Sequence, residues 1–463
     1  MKELASSRRQ KLCDVMLASP ICTLTALFVF WKGLLLLAIV ASPGPGYDTS
    51  TTLLPSTALK ATGAIGGGDG GFKWPAFPAP LLKLARWDAI YFLNIARRGY
   101  LFEQEWAFSY GYTKILAALS FESVPEILHL AIIGIGVSHV CHYLSVLSLY
   151  GMTQNVFGGS NQALPLLAAA FHIISPAGAF LSAPYGEPIF AFLNFTGYYA
   201  YTSALRDERH GRMFTRDGKF LLAGALFAFA TAIRSNGIFS GILFAYDAVL
   251  GVLSVLSNGI SISQIHRMIF VVIGGSLILL GTVVPQYYAF TLYCRDSEVP
   301  RSWCNNTIPS IYTWVQDYYW GSGKFLGYWT VSNLPLFALA APMLIILWVS
   351  AWWPFRWLVG SDVPGKQAGR EATIERNEHR QACLYRLAIP QAVLGILAFT
   401  HFHVQIINRI SSGYPVWYCY LAFHVLEDKR PQMRFLKPSV LVKSMMLYAL
   451  IQGGLFASFL PPA

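Results

Sequence analysis

Apolar runs about as long as a bilayer-crossing helix alternate with short polar or basic segments along most of the chain. Crossing the hydrocarbon layer takes about 20 mostly apolar residues. On that measure the sequence predicts spans at 20–40, 127–150, 164–183, 188–205, 220–236, 238–256, 267–290, 332–352, 384–402, 414–426 and 440–460. The expectation is an all-α polytopic membrane protein with about eleven transmembrane helices. They form a single membrane domain over 20–460, after a cytoplasmic N-terminus at 1–19. In that N-terminus Lys2, Arg8, Arg9 and Lys11 precede an apolar run to Val40, the pattern of an uncleaved signal-anchor.

Basic clusters orient the spans. Residues 206–219 carry Arg206, Arg209, Arg212, Arg216 and Lys219; 353–383 carry Arg356, Lys366, Arg370, Arg376 and Arg380; 427–438 carry Lys429, Arg430, Arg434 and Lys437. With a cytoplasmic N-terminus and this span count, all three fall in the cytoplasm, as positive charge in short loops requires. Two long segments, 41–125 and 291–330, then lie on the opposite, lumenal side. The first contains GGGDGG, which lacks the flanking strand and helix of a phosphate-cradling loop and reads as a flexible insertion. The mixed apolar, aromatic and basic stretch after it, at 74–116, predicts helix in the interface plane. The second segment is rich in Trp and Tyr and holds the sequon Asn305-Asn306-Thr307, which has meaning only outside the cytoplasm. Cys294 and Cys304 are a disulfide candidate in an oxidising lumen. A second sequon, at Asn194, lies inside an apolar run and reads as chance.

Composition agrees with the pattern and narrows the function classes. Hydrophobic residues make up 55% of the 463 positions and charged residues 12%, about half the charged share of a soluble domain. Mean hydropathy is +0.47. The net charge of +11 does not call for nucleic acid, because the basic residues sit in short clusters between apolar runs. None of the seven cysteines has zinc-site spacing, and no DxD pair stands in a lumenal segment, so no metal is expected.

The candidate chemistry gathers at predicted lumenal ends of spans. Asp88 opens what reads as a helix, with Tyr91, Phe92 and Ile95 at helical offsets. It could cap that helix or act as a catalytic base just outside the membrane. Glu103 and Glu105 lie in the same loop, readable as a solvated pair or as groups that orient a polar acceptor. Arg234 ends an apolar run, Arg409 stands on the same side near His401 and His403, and Glu187 lies between two spans. Snorkelling to headgroups is the bland reading of each arginine. His401 and His403, at i and i+2, face different ways and make a poor metal pair.

Six strings carry a family resemblance: RWDAIYFLNIARRGY, EQEWAF, SPAGAFLSAPYGEP, RSNG, VPQYYAFTLYC and NRISSGYPVWY. In this order, from about residue 80 to the end, they resemble the GPI mannosyltransferase II family, often called PIG-V. The glycine-rich insert leans toward a fungal member. The resemblance implies a GT-C-like fold in the endoplasmic reticulum membrane with its active site on the lumenal face. It also implies transfer of the second mannose, through an α1,6 bond, from dolichyl phosphate mannose to the GPI-anchor precursor. Asp88 matches the essential acidic residue of the family's first lumenal loop. An inverting displacement needs one base and positive charge on the departing phosphate. Asp88 is then the base, Arg86, Arg234 and Arg409 are the phosphate ligands, and Glu103, Glu105, Glu187 and His403 serve acceptor binding or support. No cofactor is implied beyond the donor substrate. The implied partners are the lipid-linked donor, the precursor lipid and the membrane, with room for a small accessory membrane subunit. Competing readings are another GT-C mannosyltransferase with a protein or lipid-linked oligosaccharide acceptor, a non-catalytic scaffold, or a polytopic transporter. Transporters tend to carry mid-span ionisable residues and internal repeats, and no repeat is found here.

A glycan on Asn305 is expected. Deglycosylation should speed the wild-type band in electrophoresis, and Asn305→Gln should remove that shift.

Overall fold

The computed structural model describes residues 14–43, 81–121, 126–158, 162–321, 324–356, 367–426 and 437–460. The insertion at 44–71, most of the N-terminal basic stretch and the basic residues at 427–436 lie outside them. Helices run through nearly everything else: α1 (Pro20–Ala41), α2 (Asp88–Arg98), α3 (Tyr110–Leu119), α4 (Ile127–Phe157), α5 (Ala163–Ile173), α6 (Glu187–Arg209), α7 (Met213–Ile233), α8 (Gly241–Asn258), α9 (Ile262–Phe290), α10 (Leu334–Arg356), α11 (Gln367–Thr400), α12 (Val416–Leu426) and α13 (Pro438–Ala457). In lipid this arises from the need to satisfy every backbone N–H and C=O within the segment.

Each expected span coincides with one of these helices, but among the described residues only seven are long and apolar enough to cross a membrane. Two others, α5 and α12, have 11 residues each, and α6 and α7 are long but too polar to qualify. Polar positions of α6 such as Asn194, Thr202 and Asp207 are buried among neighbouring helices rather than turned to lipid. Hydropathy cannot separate that case from a surface helix.

Two expectations about continuity are corrected. The span drawn over 164–183 stops at Ile173, because Pro176 cannot continue the helical ladder and restricts the residue before it. Residues 174–186 form instead a buried, non-helical loop around the short turn Gly178–Leu181. Such backbone is tolerated at membrane depth only when protein surrounds it. The interfacial stretch is also not one helix. It divides into α2, a turn at Glu103–Ala107 and α3, with Gly99 at φ 83° closing α2 in a region that side chains avoid.

Small residues bring α7 and α9 together. A methyl group on Gly224 would sit 2.3 Å from the Gly274 carbonyl oxygen, and one on Gly281 would sit 2.2 Å from that of Ala228. This is the close backbone approach by which membrane helices pack.

α6 has 23 residues, which at 1.5 Å per residue separates its ends by about 33 Å, the depth of a hydrocarbon core. A buried ionic network lies toward its C-terminal end. Asp247 of α8 accepts from Arg386 Nε at 2.9 Å and Nη2 at 2.7 Å, and from the Tyr201 hydroxyl. Arg267 of α9 reaches it at 3.4 Å and pairs with Glu208 at 2.6 Å, while Asp207 holds Arg212 and Lys219. The Arg209 side chain meets the Glu375 carbonyl on the same side, so parts of the two basic segments 206–219 and 353–383 converge.

One charged side chain interrupts α1. Lys32 is 4% exposed, at a depth where a lysine costs about 3 kcal/mol on insertion scales.

Asp247→Ala leaves Arg386 and Arg267 without their shared carboxylate, and losing one partner of a buried pair costs about 3–5 kcal/mol. Thermal unfolding in detergent should show a large fall in Tm, partly restored by adding Arg386→Met.

Candidate active site

Three chain segments converge near the N-terminus of α6. The first is the start of α2. Asp88 is the first residue of that helix, and Trp87 before it occupies the cap position at φ 57° with no side-chain cap bond. A positive φ of this kind is sparsely populated and costs a non-glycine residue about 1–3 kcal/mol. The cap reading of Asp88 therefore fails: its carboxylate accepts from Arg409 Nη1 at 2.9 Å, and its side chain remains 34% exposed.

The second segment is the buried loop 174–186 together with Glu187, the first residue of α6. Glu187 is 1% exposed and accepts from Arg234 Nη1 at 2.6 Å through Oε1, with Arg409 Nε 3.5 Å from the same oxygen. Phe180 and Tyr185 place their rings 4.9 and 5.7 Å from the Arg409 guanidinium. Tyr185 also donates to the Arg86 carbonyl at 3.2 Å, tying this loop to the start of α2.

The third segment, 404–415, is held rigidly from behind. The Ser412 hydroxyl donates to the Arg409 carbonyl, Trp417 Nε1 to the Ser411 carbonyl, the Tyr418 hydroxyl to the Ser412 carbonyl and Asn194 Nδ2 to the Gly413 carbonyl. Gly413 has no room for a side chain, since a methyl group there would lie 2.5 Å from Phe190. Asn194, fully buried in this contact, is not a glycan acceptor.

Arg409 is thus the hub. Burial opposes its charge, but Asp88 and Glu187, with Tyr185 beside them, outweigh that and hold its pKa above the ordinary value. Arg86 is buried next to Asp88 with its guanidinium 4.3 Å from the Phe459 ring. In the bonded cluster two guanidiniums, Arg409 and Arg234, meet two carboxylates, Asp88 and Glu187, and guanidiniums can bind phosphate oxygens in pairs.

The other candidate residues sit elsewhere. Glu105 is buried and binds Arg98 through both oxygens, at 2.6 and 3.2 Å, and also accepts from the Leu101 and Phe102 backbone. Glu103 accepts from Trp303 Nε1 at 3.0 Å, Trp314 Nε1 at 3.4 Å and the Tyr319 hydroxyl at 3.3 Å. These two acids fasten the loop 99–109 and dock the segment 291–321 upon it; none of these partners belongs to the Asp88 cluster. Cys294 and Cys304 are disulfide-bonded in that segment, and Asn305 beside them is exposed. Ser235 and Asn236, next to Arg234, bond to Tyr312 and Tyr414 instead of facing the cluster. His403 is half-buried, with burial first and the Arg409 charge second holding its pKa below the usual histidine value.

His403 ends a row of rings that sequence reading missed. Tyr91, one turn after Asp88, stacks on Phe108 at 4.5 Å, Phe108 meets Trp320 edge-on at 6.0 Å, and Trp320 meets His403 at 6.3 Å. Phe180 and Tyr185 also escaped notice, because a ring in an apolar run carries no mark of the cation it will cover. Among the described residues no group of three or more His, Cys, Asp or Glu lies close enough to hold a metal ion.

The class this defines is a polytopic, helical membrane protein with a partly exposed carboxylate paired to a buried arginine where its helix ends meet. The family model described as Mannosyltransferase (PIG-V) matches residues 34–463, and the chain belongs to that family. It is 47% identical over 452 residues to GPI mannosyltransferase 2 of Aspergillus oryzae, covering 96% of each chain. It is 46% identical to GPI mannosyltransferase 2 of Aspergillus fumigatus, over 96% of this chain and 94% of that one. For the Schizosaccharomyces pombe protein so named the identity is 32%, over 84% and 75%. Among solved structures, an Archaeoglobus fulgidus oligosaccharyltransferase is similar over 89% of this chain and 55% of its own, with a TM-score of 0.40 and 11% identity. That likeness is too distant to carry a conclusion about the site.

Burial alone would raise the Glu105 pKa, but Arg98 and the two backbone N–H groups bring it below the ordinary 4.5. A depressed carboxylate contributes stability that is present above its unfolded pKa and is lost as pH falls through the folded one. Hydrogen exchange in 99–109 should therefore stay slow above pH 4.5 and quicken below it, and Glu105→Gln should make it fast throughout.

Proposed function

We propose that this chain transfers the second mannose of the GPI anchor. The donor is dolichyl phosphate mannose, the new bond is α1,6, and the reaction runs on the lumenal face of the endoplasmic reticulum membrane. The observation that carries the reading is the Asp88–Arg409–Glu187–Arg234 cluster, where a partly exposed carboxylate pairs with Arg409 and the buried Glu187 joins Arg409 to Arg234. The names of the fungal relatives support the acceptor.

In this reaction the acceptor 6-hydroxyl oxygen attacks the anomeric carbon of mannose as the carbon–oxygen bond to phosphate breaks. Its proton passes to Asp88, and the bond electrons leave with dolichyl phosphate. Displacement from one face converts the β-linked donor to the α-linked product. General-base assistance contributes roughly 10²–10⁴-fold. Positive charge aimed at the leaving phosphate contributes as much or more. The Arg409 and Arg234 guanidiniums suit a phosphodiester monoanion entering from the bilayer plane.

The contact between Arg409 and Asp88 orders the steps. Arg409 Nη1 occupies Asp88 Oδ2 at 2.9 Å, and that contact must open before the acceptor hydroxyl can take its place. Donor phosphate competes for Arg409, and as that arginine turns to it Asp88 is released to take the acceptor proton. The sugar of the acceptor then lies along the row from Tyr91 to His403, whose Tyr91 and Trp320 rings are exposed. Such rings offer flat apolar faces with polar tips.

Microsomal transfer from dolichyl phosphate mannose to a one-mannose GPI precursor tests this. Wild type should transfer, Asp88→Asn should lose activity while remaining in the membrane, and Arg409→Ala should raise the donor KM. Near-normal turnover by the Asn variant would remove Asp88 as base, and absence of transfer by wild type would remove the whole reading.

A further inference from the structure

We propose that Lys32, in the middle of the first membrane helix, is a positioning residue for the transfer: it clamps the loop whose two aromatic rings hold Arg409. The inference rests on the proposed reading of the site and adds a residue far from it in sequence.

Lys32 is the only charged residue in the 22 positions of α1. It is not there for an ion pair. Its Nζ donates to the Leu181 carbonyl oxygen at 2.7 Å and to the Ser182 hydroxyl at 2.7 Å. Ionisable residues inside a membrane are rare, face the protein interior, and mark functional machinery. A methionine or leucine would fill the same space without the cost of burying an amine. What the amine adds is two directional bonds, both to adjacent residues of one loop.

The position of those bonds gives them their consequence. Leu181 and Ser182 lie between Phe180 and Tyr185, the rings at 4.9 and 5.7 Å from the Arg409 guanidinium. Glu187, which Arg409 and Arg234 share, comes two residues after Tyr185. The loop has no α-helical ladder here and takes its position from side chains of surrounding helices. Ser138 of α4 donates to the Ala183 carbonyl at 2.6 Å, and Gln452 of α13 accepts from the Ala179 N–H at 3.0 Å. Lys32 is the contact nearest the middle, and its two bonds, both 2.7 Å, fall on adjacent residues. Without it the Phe180–Tyr185 segment keeps only the Ser138 bond to Ala183 from a neighbouring helix between its two rings, and Arg409 loses its fixed seat between Asp88 and Glu187. A displacement of about 1 Å at a catalytic group can cost roughly 100-fold in rate.

The test compares wild type with Lys32→Met, in the full chain, by two readouts. In the transfer assay Lys32→Met should lower kcat about 10- to 100-fold and raise the donor KM in the same direction as Arg409→Ala, with the acceptor KM within about threefold of wild type. Ser182→Ala should slow the wild type and leave Lys32→Met unchanged, because the shared bond is already gone. In hydrogen exchange, residues 178–187 should lose protection in Lys32→Met while α8 and α9 keep theirs. If Lys32→Met does not accumulate in the membrane, Lys32→Gln takes its place with the same expectations.

A variant kcat equal to that of wild type, or an equal Ser182→Ala effect in both backgrounds, overturns the proposal. So does protection lost uniformly along the chain, which marks a residue needed only for stability. If wild type does not use dolichyl phosphate mannose, the reaction assigned above fails. The exchange experiment then still decides whether Lys32 holds the loop.

Discussion

The guanidinium of Arg409, set between Asp88 and Glu187, is the interaction on which the rest of this end of the molecule depends. Asp88 and Arg409 are 321 residues apart in sequence, one the first residue of a helix and the other in a single helical turn. The start of α2 must leave its carboxylate free, so the cap position falls to Trp87 in a strained conformation. The loop 174–186 must enter the protein interior without a helix, so its polar groups take partners from α1, α4 and α13. The turn that carries Arg409 must not yield, so four hydrogen bonds and a glycine against Phe190 fix it from behind. A buried arginine of this kind persists only while both carboxylates face it, because an uncompensated buried charge costs several kcal/mol.

The same physics appears at the other end of α6, to a different end. There Asp247, Arg386, Arg267 and Glu208 join α6, α8, α9 and α11 without a loop, around the fully buried carboxylate of Asp247. The two polar clusters are separated by about the depth of a bilayer core. The second pins helices that hydrophobic contact alone would leave free to slide, since lipid tails are as apolar as a leucine side chain. The first gathers helix ends, a buried loop and a turn around Arg409, and that setting, rather than charge or exposure alone, sets it apart.

Glu103 and Glu105 show how a reasonable sequence inference about site residues can point to scaffolding. Both acids lie in the right loop, and both are consumed by neighbours: Arg98 and two N–H groups for one, two tryptophans and a tyrosine for the other. Their work is to seat the segment 291–321 on the loop 99–109, which brings Trp320 to the ring row beside Asp88. A carboxylate contributes to scaffolding and to catalysis by the same charge, and only its partners tell which.

Much was legible in the chain alone. Apolar run length gave the helical, membrane-crossing class, because a bilayer imposes one length and one hydrogen-bonding solution on any segment that crosses it. Motif order pointed to the family, and position in the sequence was enough to single out Asp88, Arg234, Arg409 and Glu187. The rest needed the fold. Hydropathy treats α6 and α7 as marginal because it cannot see that their polar positions face other helices. It runs one helix through 164–183 because a buried loop is as apolar as a helix. The meeting of Asp88 with Arg409, the rings of Phe180 and Tyr185 on that arginine, and the reach of Lys32 to Leu181 all join residues far apart in the chain. Local pattern records what a segment can be, and long-range contact decides which of its side chains face one another.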